Sequence, residues 1–278
     1  MSGNDSERSG PLPLGIDLEV PSAARIRDYF LGGSHNFGVD RAAARRVIAS
    51  WPDIVVTMQQ SRAFQRRVVR HLVDSGVRQF LELRSGIPTA GSVHEQVQAL
   101  APDSAVVYVD PDPITVAQSA EFLRGDPRTA AALADACDIE AIFGSAPVRE
   151  LIDPSRPVGV LMLGVLHFVS DDDRALAAVS DVRARVAEGS AIAIWHGATI
   201  DGRPELADSG PTFEQTYGQA GSPYTLRSRE QVQEMFRGWE LLAPGVVELP
   251  LWRPDDPVAA AELVRRASGF VGVARKGR

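Results

Sequence analysis

Two short stretches carry the residue types from which a nucleoside site can be built. "RSGIPTAG", residues 84–91, puts Gly86 and Gly91 in a turn directly after the apolar run "QFLEL". Asp110 closes a second apolar run, "AVVYVD", 24 positions after Gly86. A glycine turn lets backbone come close to a ligand. A carboxylate about 20 residues further on can accept hydrogen bonds from both hydroxyls of a ribose. The turn is not the full glycine fingerprint of a dinucleotide site, because Arg84 stands at the first close-approach position. A pyrophosphate needs bare backbone at a helix N-terminus. The pattern therefore disfavours NAD and leaves room for an adenosine cofactor without phosphates.

Histidines are the other chemistry-bearing side chains. His167, in "VLHFVSDDD", follows the longest apolar run. There it can act as a general base or orient a nucleophile, or simply bond at a strand-to-helix turn. His196 ends the run "SAIAIWH" and is a candidate to face an acceptor. His94, beside Glu95, either reaches the ligand or lies on a helix surface. His35 and Asn36 sit in the glycine-flanked loop "GGSHNFG". Such a loop closes over a ligand or merely joins two helices. His71 lies among arginines and reads as surface. No three histidines form a metal-binding set, so no metal is predicted. The acids at 171–173 suit a helix N-terminus better than an ion. No G-x-S-x-G turn announces a serine nucleophile.

These residues need elements to hold them. Residues 1–20 read as a floppy tail of Ser, Gly, Pro and charges. Residues 21–76 read as a helical cap: "AARIRDYFL" after Ser22, "RAAARRVIASW" capped by Asp40, and a long helix from Asp53 stopped by Gly76. From residue 77 the pattern changes. "RQFLEL", "AVVYVD", "AALADA", "PVGVLMLGVL" and "SAIAIWHG" are short apolar runs separated by helical segments. The helix from residue 170 opens with Ser170 and Asp173 in capping-box spacing. Alternation of this kind predicts an α/β fold with a parallel sheet covered on both faces. After Gly197 the alternation breaks; "WELLAPGVVELP" and "SGFVGVARK" read as two more strands, the last closing the sheet antiparallel. The domain from 77 to 278 is thus Rossmann-like. Ligands of such sheets bind beyond the carboxyl ends of the strands, where strand order reverses.

Bulk properties narrow the partners. A formal net charge of -7 disfavours a general nucleic-acid or anionic-membrane binder. The arginines of residues 21–75 outnumber the acids there, but no aromatic interleaving or binding motif accompanies them. Cys137 is the only cysteine, which suits a reducing cytoplasm and excludes an intrachain disulfide. No apolar run reaches the ~18 residues of a membrane span. These features do not specify an oligomeric state.

Longer motifs carry a resemblance. "PSAARIRDYFLGGSHNFGVDR", "WPDI", "SRAFQRRVVRHLVDSGVRQFLELRSGIPTAGSVHE", "VVYVDPDP", "VLHFVSDDD" and "WRPD" span roughly residues 20–276. Together they resemble an actinobacterial S-adenosylmethionine-dependent methyltransferase family once catalogued as a domain of unknown function. The resemblance implies a class I methyltransferase sheet of seven strands with an antiparallel last strand, plus an N-terminal helical cap. It implies S-adenosylmethionine as cofactor. The family's "LD-G-G-P" cofactor turn falls on Glu82, Arg84, Gly86 and Pro88, so two of its four positions depart. The acid of "VD-DP" falls on Asp110, with Asp112 after it, and Asp135 takes the place of the acid that accepts from the adenine amino group. His167 of "LHF" lies near the cofactor edge. Gly33, Asn36 and Arg62 lie in matching segments and join the expected cofactor set, and Arg27 stands where the family has tyrosine.

Arg84 leaves three alternatives. A guanidinium ~5 Å from the cofactor's sulfonium costs about 3 kcal/mol at an effective dielectric of 20. The same group can instead grip the cofactor's carboxylate in a bidentate pair. It can also pair with Glu82 and point away. The expected activity is methyl transfer to a small molecule. The alternative is a methyltransferase-like protein without catalysis, or repurposed, with an altered cofactor site.

Overall fold

The computed structural model describes residues 19–89, 91–198, 210–219 and 224–277. The expected tail lies almost wholly outside them. Three helices come first: α1 (Ala23–Phe30), α2 (Gly38–Ser50) and α3 (Ile54–Asp74). Then follow β1 (Gln79–Leu83), α4 (Val93–Leu100), β2 (Ala105–Asp110), α5 (Pro113–Phe122) and β3 (Thr129–Leu133). Next are α6 (Ile139–Gly144), α7 (Ala146–Leu151), β4 (Val158–Leu163), α8 (Asp172–Arg185) and β5 (Ala191–His196). The C-terminal part holds α9 (Gly210–Gln219), α10 (Arg229–Glu234), β6 (Glu240–Leu241), β7 (Val247–Glu248), α11 (Pro257–Leu263) and β8 (Phe270–Arg275).

The strands form one sheet in the order β3-β2-β1-β4-β5-β8-β6, and β7 also pairs with β8. Strands β1 to β5 pair with one another in parallel. β8 runs antiparallel to β5, β6 and β7. The sheet has eight strands rather than seven. The extra one arises because "WELLAPGVVELP" is cut at Pro244-Gly245 instead of running as a single strand. Proline offers no ladder N–H, and Gly245, at φ 88°, turns the chain.

β1, β4 and β5 are buried at every position, as a sheet with helices on both faces requires. Successive side chains point to opposite faces. Phe80, Tyr108 and Trp195 join one hydrophobic cluster, with Ile26, Phe64 and Leu72 of the first and third helices. Leu81, Val109 and Ile192 join the other, with Val148 of α7 and Val179 of α8. Residues 21–76 therefore share a core with one sheet face.

Polar contacts fix the helix entries, not always as the sequence suggests. α2 begins at Gly38, and Asp40 sits in its first turn. The fully buried Asp40 carboxylate accepts from Phe37 N at 2.8 Å, Ser22 N at 2.9 Å and Arg25 Nε at 2.7 Å. One acid thus ties α1 to α2. α8 is capped by Asp171, whose carboxylate accepts from Arg174 N at 3.1 Å, rather than by Ser170. Among the described residues no helix is long and apolar enough to cross a membrane.

Candidate functional site

Strand order reverses between β1 and β4, so a crevice opens beyond their carboxyl ends. A cavity of about 540 Å³ lies there. Its geometry begins with the turn after β1. Arg84 has φ 51° and Gly86 has φ 67°. The left-handed region is uncommon for a residue with a Cβ, so Arg84 occupies a conformation that glycine would take without strain. Gly86 N donates to Asp110 Oδ2 at 3.0 Å, and Asp112 N donates to Asp110 Oδ1 at 3.0 Å. Each carboxylate oxygen keeps acceptor capacity. Burial pushes the Asp110 carboxyl pKa up, against the opposing pull of those two N–H groups and of Arg84. Asp112 caps α5, accepting from Ile114 N and Thr115 Oγ1, each at 2.9 Å.

The cavity has two unlike sides. Beyond β2 and β3 it is lined by Asp110, Asp112 and Asp135. Asp135 accepts from Cys137 N at 2.8 Å and pairs with Arg174 at 3.0 Å. Beyond β4 and β5 the lining is His167, Phe168 and Trp195, with Tyr217 and Tyr224 from the C-terminal part. α1 contributes Ala24 and Arg27, and α3 contributes Met58. The Arg84 guanidinium lies 4.3 Å from the centre of the Phe168 ring. Desolvation lowers its pKa, and Asp110 and Asp135 are the first two charges opposing that shift. Glu82 faces Arg62 and Arg27 instead, and burial pushes its pKa up. The structure therefore does not adopt the Arg84–Glu82 pairing.

His167 sits in a single 3-10 turn, Leu166–Phe168. Its Nδ1 is buried without a hydrogen-bond partner. Desolvation holds its pKa well below the usual histidine value, with His196, Arg84, Arg27 and Arg227 acting in the same direction. The turn is braced from behind by Arg227. That guanidinium donates to Leu166 O, Val169 O and His196 Nε2, each at 2.8 Å, and to Asp172 Oδ1 at 2.7 Å. His196 Nδ1 donates to Gly197 O at 2.8 Å. His196 is thus neutral, fully buried and satisfied on both nitrogens. It is a structural histidine and does not face an acceptor. Burial brings its pKa down to about 4.

Arg27, from α1, borders the same cavity. Burial and the neighbouring Arg62 lower its pKa to about 10, opposed by Glu82 and Tyr217. Its Nε is buried without a hydrogen bond.

Of the residues expected at the site, Arg84, Gly86, Asp110, Asp112, Asp135 and His167 line the cavity together. Glu82, Pro88, Arg62, Gly33 and Asn36 do not. Glu82 is buried in β1 and Pro88 in the turn. Arg62 reaches Gln65 Oε1 at 3.1 Å and Gly91 O at 3.3 Å, linking α3 to the turn. Asn36 Nδ2 donates to Asp28 Oδ2 at 2.8 Å and to Gly33 O at 2.9 Å. A Cβ on Gly33 would come 2.0 Å from Asp28 Oδ1. The "GGSHNFG" loop therefore folds onto Asp28, not over the cavity. His94 Nδ1 is engaged by the Tyr108 hydroxyl at 2.7 Å. Sequence reasoning missed Arg27 as a lining residue, as well as Met58, Phe168, Trp195, Tyr217 and Tyr224. Part of the segment 197–230, from which Tyr217 and Tyr224 come, lies outside the described residues. Among the described residues no cluster of three or more His, Cys, Asp or Glu side chains suits a metal ion.

Residues 10–277 match the model of a family described as S-adenosyl methyltransferase. A crystal structure of a protein from Thermobifida fusca YX, provisionally named a methyltransferase, is similar with a TM-score of 0.87 at 35% identity. The match covers 96% of this chain and 98% of that one. A DUF574 family protein from Streptomyces avermitilis MA-4680 is similar with a TM-score of 0.85 at 35% identity, over 94% of this chain and 99% of that one. No curated protein matches the chain.

Proposed function

The chain belongs to the S-adenosyl methyltransferase family, whose cofactor is S-adenosylmethionine, and we propose that it transfers a methyl group to a small molecule held in the cavity beyond β1, β2, β4 and β5. One observation carries the reading. Asp110 stands buried at the end of β2, with each oxygen anchored by a backbone N–H of Gly86 or Asp112 and with acceptor capacity left over. That is the disposition a ribose diol needs.

The residues fit an adenosine cofactor. Asp110 holds the ribose, and Gly86 admits the methionine end in a turn with no side chain. Asp135 accepts from the adenine amino group with the capacity that Arg174 and Cys137 leave. Pyrophosphate is disfavoured, because arginine rather than glycine stands at position 84, where bare backbone would cradle it. When bound, the cofactor supplies an electrophilic sulfonium methyl. The protein's task is then alignment. Arg84 opposes a sulfonium, but Asp110 and Asp135 beside it offset that repulsion. His167 stays uncharged and can take a hydrogen bond or a proton from the acceptor. The reducing cytoplasm is the compartment that suits a lone thiol at Cys137.

A second reading has one observation in its favour. Arg84 sits in the cavity wall in a backbone conformation suited to glycine. A methyltransferase-like module that has lost its cofactor would tolerate that. Calorimetric titration with S-adenosylhomocysteine separates the two. Micromolar binding supports the enzyme; no binding of either that product or S-adenosylmethionine defeats it.

A further inference from the structure

The side of the cavity beyond β4 and β5 is walled by rings. Tyr217 and Tyr224 are stacked, with centroids 5.7 Å apart and planes 27° from parallel. Phe168 lies 5.5 Å from Tyr217 and 5.7 Å from Tyr224. The His167 ring lies 4.6 Å from Tyr224. All four line the cavity, with Tyr217 also buried in the core cluster and Phe168 and Tyr224 packed against it. Aromatic faces of this kind take flat ligands in offset or edge-on contact.

Two guanidinium groups stand on this side. Arg27 lines the same cavity, and the acid that acts on it, Glu82, is shared with Arg62. Arg27 Nε is a buried donor with nothing to bond. The guanidinium as a whole borders the cavity, so a ligand acceptor set against it gains a charge-assisted hydrogen bond. Arg84, stacked on Phe168, adds a second cation at the ring wall. His167 contributes no positive charge there, because its surroundings keep it neutral.

We infer that the acceptor is a flat aromatic compound whose nucleophile is an ionised oxygen, a phenolate or an aromatic carboxylate, seated against Phe168, Tyr217 and Tyr224 and facing Arg27. The inference rests on the methyl-transfer reading and names its substrate class. The balance of the step favours oxygen. An oxyanion lone pair forms the new O–CH3 bond, the C–S bond breaks, and its electron pair stays on sulfur. Anion and sulfonium cation become a neutral ether or ester and a neutral thioether, with no proton to remove at that moment. A neutral amine would instead become an ammonium beside Arg27, which that guanidinium opposes, and would then have a proton to release.

The test uses protein saturated with S-adenosylhomocysteine and three probes: 4-hydroxybenzoate, its saturated counterpart 4-hydroxycyclohexanecarboxylate, and benzylamine. The expected result is that 4-hydroxybenzoate binds roughly tenfold tighter than the saturated acid, an advantage worth about one ring contact, and that benzylamine does not bind. Tyr217→Leu should abolish the preference for the flat ring. Arg27→Gln should abolish the preference for the anion. S-adenosylhomocysteine affinity, measured on each variant, reports whether it has folded. Equal binding of the flat and saturated acids overturns the inference, as does a preference for benzylamine or a preference unaltered in the variants. Absence of S-adenosylhomocysteine binding by the unmodified protein defeats the methyl-transfer reading instead, and the same probes titrated without it still decide whether the ring wall selects flat anions.

Discussion

Asp110→Asn tests the nucleoside site most directly, because the substitution preserves shape and removes only charge and one acceptor. The wild-type carboxylate accepts from Gly86 N and from Asp112 N, both at 3.0 Å. An asparagine must turn its NH2 toward one of those two N–H groups. One backbone donor then loses its partner at a side chain only 6% exposed. An unpaired buried donor costs about 1–3 kcal/mol, although asparagine also escapes the desolvation of an ionised carboxylate, which offsets part of the loss. That contribution appears in stability. The loss of charge-assisted hydrogen bonds to a ribose appears in affinity, at about 1.5–2 kcal/mol, or roughly 10–30-fold. Urea unfolding reads the first and calorimetry with S-adenosylhomocysteine reads the second. pH supplies an internal control. Burial raises the Asp110 pKa, so the carboxyl protonates at a higher pH than an ordinary aspartate. Wild-type affinity then falls as pH drops through that raised value, whereas the asparagine variant has no group there to titrate and stays flat. The reasoning is refuted if the variant binds the product within about threefold of wild type and both proteins share one pH profile.

Arg84→Gly should raise affinity for S-adenosylmethionine relative to S-adenosylhomocysteine by several-fold, well short of the roughly hundredfold that an unshielded guanidinium ~5 Å away would imply. The two ligands share a carboxylate, so the ratio of their dissociation constants isolates the sulfonium charge, and an unchanged ratio would place Arg84 outside its reach. Gly33→Ala should destabilise the fold by about 2 kcal/mol or more, because the new Cβ lands 2.0 Å from an Asp28 oxygen whose carboxylate is already held by His35 N and Asn36 Nδ2. A urea midpoint equal to wild type would remove the loop from Asp28. His196 makes stability depend on pH: its folded pKa of about 4 lies below the ordinary histidine value of 6.5, so the unfolded chain takes up its proton first and stability is lost as pH falls from 6.5 towards 4. Between pH 7 and pH 5 His196 accounts for about 2 kcal/mol of the loss; His167, His71 and His94, lowered by burial as well, add to it, so in His196→Asn the loss read by urea unfolding at the two pH values should shrink by about that amount.

Period and punctuation made the sheet readable. Phe80 and Leu81 are adjacent in an apolar run, and they enter opposite clusters because both faces are covered; a continuous apolar strand is the sequence trace of that burial. The acids at strand ends were readable for the same reason: Asp110 and Asp135 follow directly on runs whose direction and position the alternation sets. Residues 33–36 misled because composition does not say which way a glycine-flanked loop folds. Asp28, a helical residue with no distinguishing neighbour in sequence, captures that loop through His35 and Asn36. His196 misled likewise: its position at a strand end is right for a site, but Arg227, 31 positions away, takes its Nε2.

The ring wall shows where local reading stops. Trp195 and Phe168 belong to strand-end segments and were within reach, but Tyr217 and Tyr224 come from a stretch with no strand period. Their one sequence signal is that two of the chain's four tyrosines fall within eight residues whose other side chains are all small or polar or proline. What makes them a wall is Thr225 N bonding to His167 O at 2.7 Å and Arg227 bonding around the same turn, contacts about 60 residues apart. The nucleoside side of the cavity is thus built from short-range geometry at strand ends, and its chemistry can be read from one motif at a time. The acceptor side is assembled by long-range contacts onto the His167 turn. A chain that keeps the first and changes the second would keep its cofactor and change its substrate.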